Sequence, residues 1–184
     1  MKNIVLLIVL GIVVYACGGD TLPKPKPYLK LSYANPSYTQ IETNCPYNFE
    51  ISDLAHFNKK NNCWASIDYP KLNARVHITY RLVNNNLNEI LKEVEKLTFE
   101  HTVKADVINA VPFENSEKKV YAKLFNIEGN VASNVQFRIT DSLNHVLAGA
   151  LYFNVKPNYD SIVPAIHYIE RDIVHLVETF EWKN

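Results

Sequence analysis

The chain is 184 residues long and carries 19 basic and 19 acidic side chains, six histidines and a formal net charge of zero. That balance, without a basic stripe, argues against nucleic acid as a partner. Hydrophobic residues make up 47% of the chain, enough to build the core of one domain, and with only five glycines there is no glycine-rich phosphate loop.

The first element is an apolar run, Ile4 to Ala16, inside "IVLLIVLGIVVYACGG". A bilayer-spanning helix needs about 20 apolar residues. This run has 13, with Lys2 ahead of it and Cys17, Gly18, Gly19 and Asp20 behind. A charged start, a short apolar middle and the small Ala16 mark a secretory signal over residues 1–16. "VVYAC" resembles a bacterial lipobox, which implies cleavage before Cys17, a diacylglycerol on its sulfur and an acyl chain on its new amine. Val14 and Tyr15 depart from the commonest pattern, Leu followed by Ala, Ser or Thr. The alternatives are a plain signal peptide and an uncleaved anchor. No acid directly follows Cys17, so the familiar inner-membrane retention signal and an acidic surface-export run are both missing. The expected location is the cell envelope, with the periplasmic face of the outer membrane ahead of the inner membrane. Residues 17–27 then form a tether in which Pro23, Pro25 and Pro27 alternate with lysine. This favours polyproline II and a stalk on the order of 30 Å, although a floppy linker would serve as well.

A single globular domain is expected over residues 28–184. Its first third carries strand candidates at 28–33, 48–52 and 63–69. The clearest strand is 72–83, where Leu72, Ala74, Val76, Ile78 and Tyr80 fall on one face and Asn73, Arg75, His77, Thr79 and Arg81 on the other. Losing Cys17 to lipid leaves Cys45 and Cys63, an even number in a compartment that permits disulfides. A disulfide closing residues 45–63 is therefore expected, the alternative being two unpaired thiols. Residues 84–105 switch to helical spacing, with Leu87, Ile90, Leu91, Val94, Leu97 and His101 as the stripe and Asn86 with Glu89 as the cap. Strands follow at 106–113, 118–129, 134–142 and 145–155, the last two joined by the hairpin signal "DSLN". The last strand is nearly all apolar and reads as central. A second helix is predicted over 160–183, with Asp160 or Ser161 as its cap, Pro164 in its first turn, and Ile162, Ile166, Ile169, Ile173, Leu176, Val177 and Phe180 as its stripe. The fold class is α+β, a mainly antiparallel sheet of six or seven strands with two amphipathic helices packed on it. The apolar 145–155 strand favours coverage of both faces.

Catalytic signals are sparse. His167 and Glu170 lie one helical turn apart with His175 two turns on, but no third ligand has metal-site spacing, so capping or solvated histidines are the better account. There is no Gly-x-Ser-x-Gly. Asp141 and Asp160 read as turn and cap residues, Ser133 and Ser142 as turn residues, and Lys71, Arg75, His77 and Arg81 as a solvated strand face. Tyr28, Tyr33, Tyr38, Tyr47 and Tyr69 cluster early and suit either a binding face or packing. No enzyme activity, cofactor or metal is expected.

The stretches "LPKPKPYLKLSY" (22–33), "CPYNFEI" (45–51), "YPKLNARVHITY" (69–80), "KLTFEHTVKAD" (96–106), "KKVYAKLFNIEGNVASNVQFRITDS" (118–142), "GALYFNVKPNYDSIVP" (149–164) and "LVETFEW" (176–182) together resemble the GldD family of gliding-motility lipoproteins. The resemblance implies a lipid-anchored envelope protein needed for bacterial gliding and type IX protein secretion. It brings no catalytic residues, and its implied partners are other envelope proteins of that machinery. The alternative function is a periplasmic binding module for a lipid, glycan or peptide.

Overall fold

The computed structural model describes residues 33–100, 104–155 and 158–183. Its strands are β1 (Tyr38–Gln40), β2 (Tyr47–Asn48), β3 (Glu50–Ser52), β4 (His56–Lys59), β5 (Ala65–Tyr69), β6 (Ala74–Leu82), β7 (Val107–Asn115), β8 (Val120–Glu128), β9 (Val135–Thr140), β10 (His145–Phe153) and β11 (Glu181–Trp182). Helix α1 is Leu87–Phe99 and helix α2 is Tyr159–Glu178. Seven strands form one antiparallel sheet in the order β4–β5–β6–β10–β9–β8–β7, while β1 pairs with β3 and β11 with β2.

The register assigns the two faces. Leu147 lies opposite Ile139, Gly149 opposite Phe137, and Phe137 opposite Leu124, so these side chains share a face. They form one core with Val76 and Ile78 of β6 and with Ile166, Ile169, Ile173, Leu176 and Phe180 at and beyond the C-terminal half of α2. Burying each such side chain contributes roughly 1.5–3 kcal/mol, so this layer dominates stability. Gly149 is required here, because a Cβ would come within 2.3 Å of the Phe137 ring.

The intervening residues face α1. Thr98 Oγ1 donates to Gln136 at 2.8 Å, Arg138 Nη2 and Lys123 Nζ reach Glu95 at 3.0 and 3.3 Å, and Arg81 pairs with Glu93 at 2.7 Å. Ile90 packs on Val83 and Val146. The helices therefore cover opposite faces, and β9 and β10 are central strands between them.

Several expectations change. Residues 28–32 of the predicted 28–33 strand lie outside the described residues, and Tyr33 is not in a strand. The 48–52 candidate divides into β2 and β3, which belong to different small sheets. The strand predicted over 63–69 begins at Ala65, because Cys63 closes a 3-10 turn, Asn61–Cys63. Edge strand β4 carries mostly polar side chains and pairs only with β5, and β1 and β11 are too short to show a period. Helix α1 ends at Phe99, and His101 lies outside the described residues. Leu97 is 55% exposed because the inward line runs through Ile90, Val94 and Thr98, spaced by four. Asn86 occupies the cap position, but its side chain accepts from the Asn84 N–H instead of the helix. The second helix is capped at Asn158 and stops at Glu178, so Pro164 lies inside it, past the first turn, and residues 181–182 form a strand. Thr179 ends this helix, its hydroxyl donating to the His175 carbonyl at 2.8 Å. The predicted "DSLN" turn is present, with Asp141 Oδ1 accepting from the N–H groups of Leu143, Asn144 and His145 at 2.8–3.0 Å.

Candidate functional site

Helix α2 is also packed on its outer side, against residues 33–53. The Tyr33 ring stacks on Tyr168 at 4.6 Å, and the Tyr168 hydroxyl donates to the Ala34 carbonyl at 3.1 Å. Tyr38, on β1, donates to Asp172 at 2.8 Å and stacks on His175 at 3.7 Å. His175 Nε2 in turn meets Glu50 of β3 at 2.7 Å. Burial pushes the Asp172 carboxyl above its ordinary value, against hydrogen bonds from Tyr38 and Tyr69 that favour its charged form. Burial and the neighbouring carboxylate also push the hydroxyls of Tyr38 and Tyr69 well up, so both keep their protons at neutral pH. The cluster fastens residues 33–53 to the helix.

The early tyrosines are therefore packing residues where they are described. Tyr47 is fully buried, donates to the Cys63 carbonyl at 2.6 Å, and has its hydroxyl pushed up to about 12 by burial, with Tyr80 adding to the effect. Tyr28 lies outside the described residues. Cys45 and Cys63 are joined by a disulfide with their Cα atoms 5.5 Å apart. Cys17, the expected lipidation site, lies outside the described residues.

The predicted polar candidates do not converge. His167 meets Glu170 at 3.1 Å on the surface, Glu170 also accepts from Asn126 at 2.6 Å, and His175 turns away to Glu50. His145 bonds the Tyr80 hydroxyl at 2.7 Å. Ser133 is buried and donates to the Val135 carbonyl. Among the described residues no three His, Cys, Asp or Glu side chains lie close enough to hold a metal ion. None of their helices is long and apolar enough to cross a membrane.

The described residues form two depressions of note. One, of about 440 Å3, runs along the outer side of α2 beside Pro164, His167, Tyr168 and Arg171. The larger, of about 620 Å3, lies at the end of β5, β6 and β10 remote from α1, beside Asp68, Arg75, His77 and Tyr152. There Arg75 grips Asp68 with two bonds, Nε to Oδ1 at 2.6 Å and Nη2 to Oδ2 at 2.9 Å. That grip holds the Asp68 carboxyl below its ordinary value against a smaller effect of burial. His77 meets the Tyr152 ring edge-on at 5.5 Å, and burial together with Lys60 and Arg75 keeps it neutral at pH 7. Sequence reasoning took Arg75 and His77 for a solvated face. It missed Asp68 and Tyr152 because they join that face only through pairing with β6.

A family model described as gliding motility lipoprotein GldD matches residues 18–182. No curated protein and no solved structure matches the chain.

Proposed function

Because the chain belongs to the family of gliding motility lipoproteins GldD, we propose that it serves gliding and type IX protein secretion as a non-catalytic envelope component. It is held to the membrane by a lipid on Cys17 and acts by binding other proteins of that machinery. The observation that carries the reading is the family match, which spans nearly the whole chain. The site geometry supports it. His175 and Asp172 on α2 are engaged in holding structure, in His175–Glu50 and Tyr38–Asp172. We further propose the periplasmic face of the outer membrane as the location.

Deleting the gene is expected to stop both colony spreading and secretion of type IX cargo. Cys17→Ser is expected to block palmitate labelling and leave the precursor uncut, and a variant still processed and labelled would refute the anchor. Substituting His167, Asp160 or Glu170 singly is expected to leave gliding nearly intact. Ile90→Asp, in the small core under α1, is expected to abolish it through misfolding. A single exposed polar residue whose loss stops gliding, with folding, anchoring and partner capture all preserved, would overturn the non-catalytic reading.

A further inference from the structure

Helix α1 covers β8, β9 and the His145–Val146 end of β10, and it leaves the other end of the same sheet face bare. The bare region is not a random solvated surface. Cross-strand register sets Asp68, Arg75 and Tyr152 side by side on β5, β6 and β10, and in the next row Ser66, His77 and Ala150. Asp68, Arg75, His77 and Tyr152 line a trough of about 620 Å3 together with Tyr69, Asn73 and Asn154 at the strand ends, within the roughly 300–1,000 Å3 typical of small-molecule sites.

Its chemistry is specific. Asp68 accepts from Arg75 twice and from Asn58 Nδ2 at 3.1 Å, so that carboxylate is consumed in holding the guanidinium rather than in meeting a ligand. The Arg75 side chain is nevertheless 51% exposed, with its remaining N–H groups free to bind. Arg75 is the cation among the residues that line the trough, and it keeps donors to spare beside a satisfied carboxylate. Beside them Tyr152, 38% exposed, offers an aromatic surface and a hydroxyl. A guanidinium fixed by a carboxylate suits a carboxylate or phosphate group, and a half-exposed tyrosine suits the apolar face of a sugar ring.

The geometry points to a binding site for an anionic saccharide in this trough, with Arg75 on the acidic group and Tyr152 against the sugar ring. This goes beyond the role in gliding and secretion and does not depend on it. The shared chemistry, an acidic group on a sugar, is met by uronic-acid polymers and by phosphorylated saccharides of the envelope alike.

The test titrates the full-length protein in detergent by calorimetry. The probes are a hexuronate oligosaccharide, a phosphorylated oligosaccharide, the hexuronate probe with its carboxyls reduced to alcohols, and inorganic phosphate. At least one acidic oligosaccharide is expected to bind at micromolar to submillimolar concentration, and the tighter of the two identifies the source. The reduced probe is expected to bind at least tenfold more weakly, and inorganic phosphate in tenfold excess is expected not to displace the sugar. Arg75→Gln and Tyr152→Ala should each weaken binding at least tenfold, and Arg75→Lys, which keeps the charge without the fork, less so. Unfolding midpoints measured alongside are expected to stay near wild type, because both side chains are exposed. Tyr152→Phe, which keeps the ring, is the second variant at that position and is expected to bind nearly as wild type. Equal binding of the acidic and reduced probes, displacement by phosphate, undiminished binding by Arg75→Gln, or no binding up to millimolar concentration would each overturn the proposal.

Discussion

The Tyr38 hydroxyl donates to the Asp172 carboxylate at 2.8 Å, joining β1 to α2 across 134 residues of chain. The acceptor is a buried acid whose ionisation is disfavoured chiefly by burial. An acid whose folded-state pKa is raised stabilises the fold fully below its unfolded value, and that contribution is lost as pH rises through the folded value. Wild type should therefore lose stability relative to Asp172→Asn as pH climbs from about 3.5 to 7. Tyr38→Phe should cost about 1–2 kcal/mol through the lost hydrogen bond to the buried acceptor. Urea unfolding of the three proteins across that range checks both, and a flat difference between wild type and Asp172→Asn would show that burial of Asp172 carries no such cost.

Asp141 titrates in the opposite sense. Burial alone would raise its pKa, but the backbone N–H groups of Leu143, His145 and Asn144 outweigh it and hold the carboxyl low. Its contribution is present above the ordinary carboxylate value and is lost as pH falls through the lowered one. Asp141→Ala should destabilise the protein by about 1–2 kcal/mol at pH 7 by leaving the β9–β10 turn without its acceptor. The deficit should shrink as pH falls below the ordinary carboxylate value, as thermal melts of both proteins at matched pH would show.

The Cys45–Cys63 bond closes a loop with a sequence separation of 18. In a chain-entropy account a loop of that size contributes roughly 3 kcal/mol. Reduction, or Cys45→Ala with Cys63→Ala, should lower the unfolding midpoint by several degrees. Unreduced peptide mapping by mass spectrometry should recover the two cysteines linked, and free thiols at both positions in protein from the periplasm would contradict the bond.

Gly149→Ala should strain the core between β9 and β10, because the added Cβ would meet the Phe137 ring at 2.3 Å. Overpacking of this kind costs about 1–3 kcal/mol. Adding Phe137→Leu should recover part of that loss, giving a double-mutant coupling of at least about 0.5 kcal/mol. Strict additivity in denaturant titrations would place the strain elsewhere.

Elements with a long period were legible in the sequence: β6, β8, β10 and α2 each repeat their apolar residues over nine or more positions. Elements defined by a partner were not. β4 is a strand because β5 lies beside it, and β11 because Tyr47 lies opposite Trp182. Position 97 was misread because an apolar residue at near-helical spacing can still point outward when Thr98 finds a buried acceptor in Gln136. The disulfide was legible from cysteine parity. The trough was not, since no local pattern announces that Asp68, Arg75 and Tyr152 will be set in one row.

With the N-terminus held by the proposed lipid anchor, the packing of residues 33–53 on α2 would set a path for mechanical load. Tension enters at Tyr33 and reaches β1 at Tyr38, which lies opposite Ser52 at the open end of the β1–β3 pair. Loaded there, the backbone pairing alone would unzip one bond at a time. The side-chain links divert that tension first, from Tyr33 into Tyr168 and from Tyr38 into Asp172 and His175. All three partners lie on one helix, whose opposite side is bedded in the main core. A pull on the proposed anchor would thus be shared along α2, with Tyr33 and Tyr38 holding the N-terminal strands against peeling.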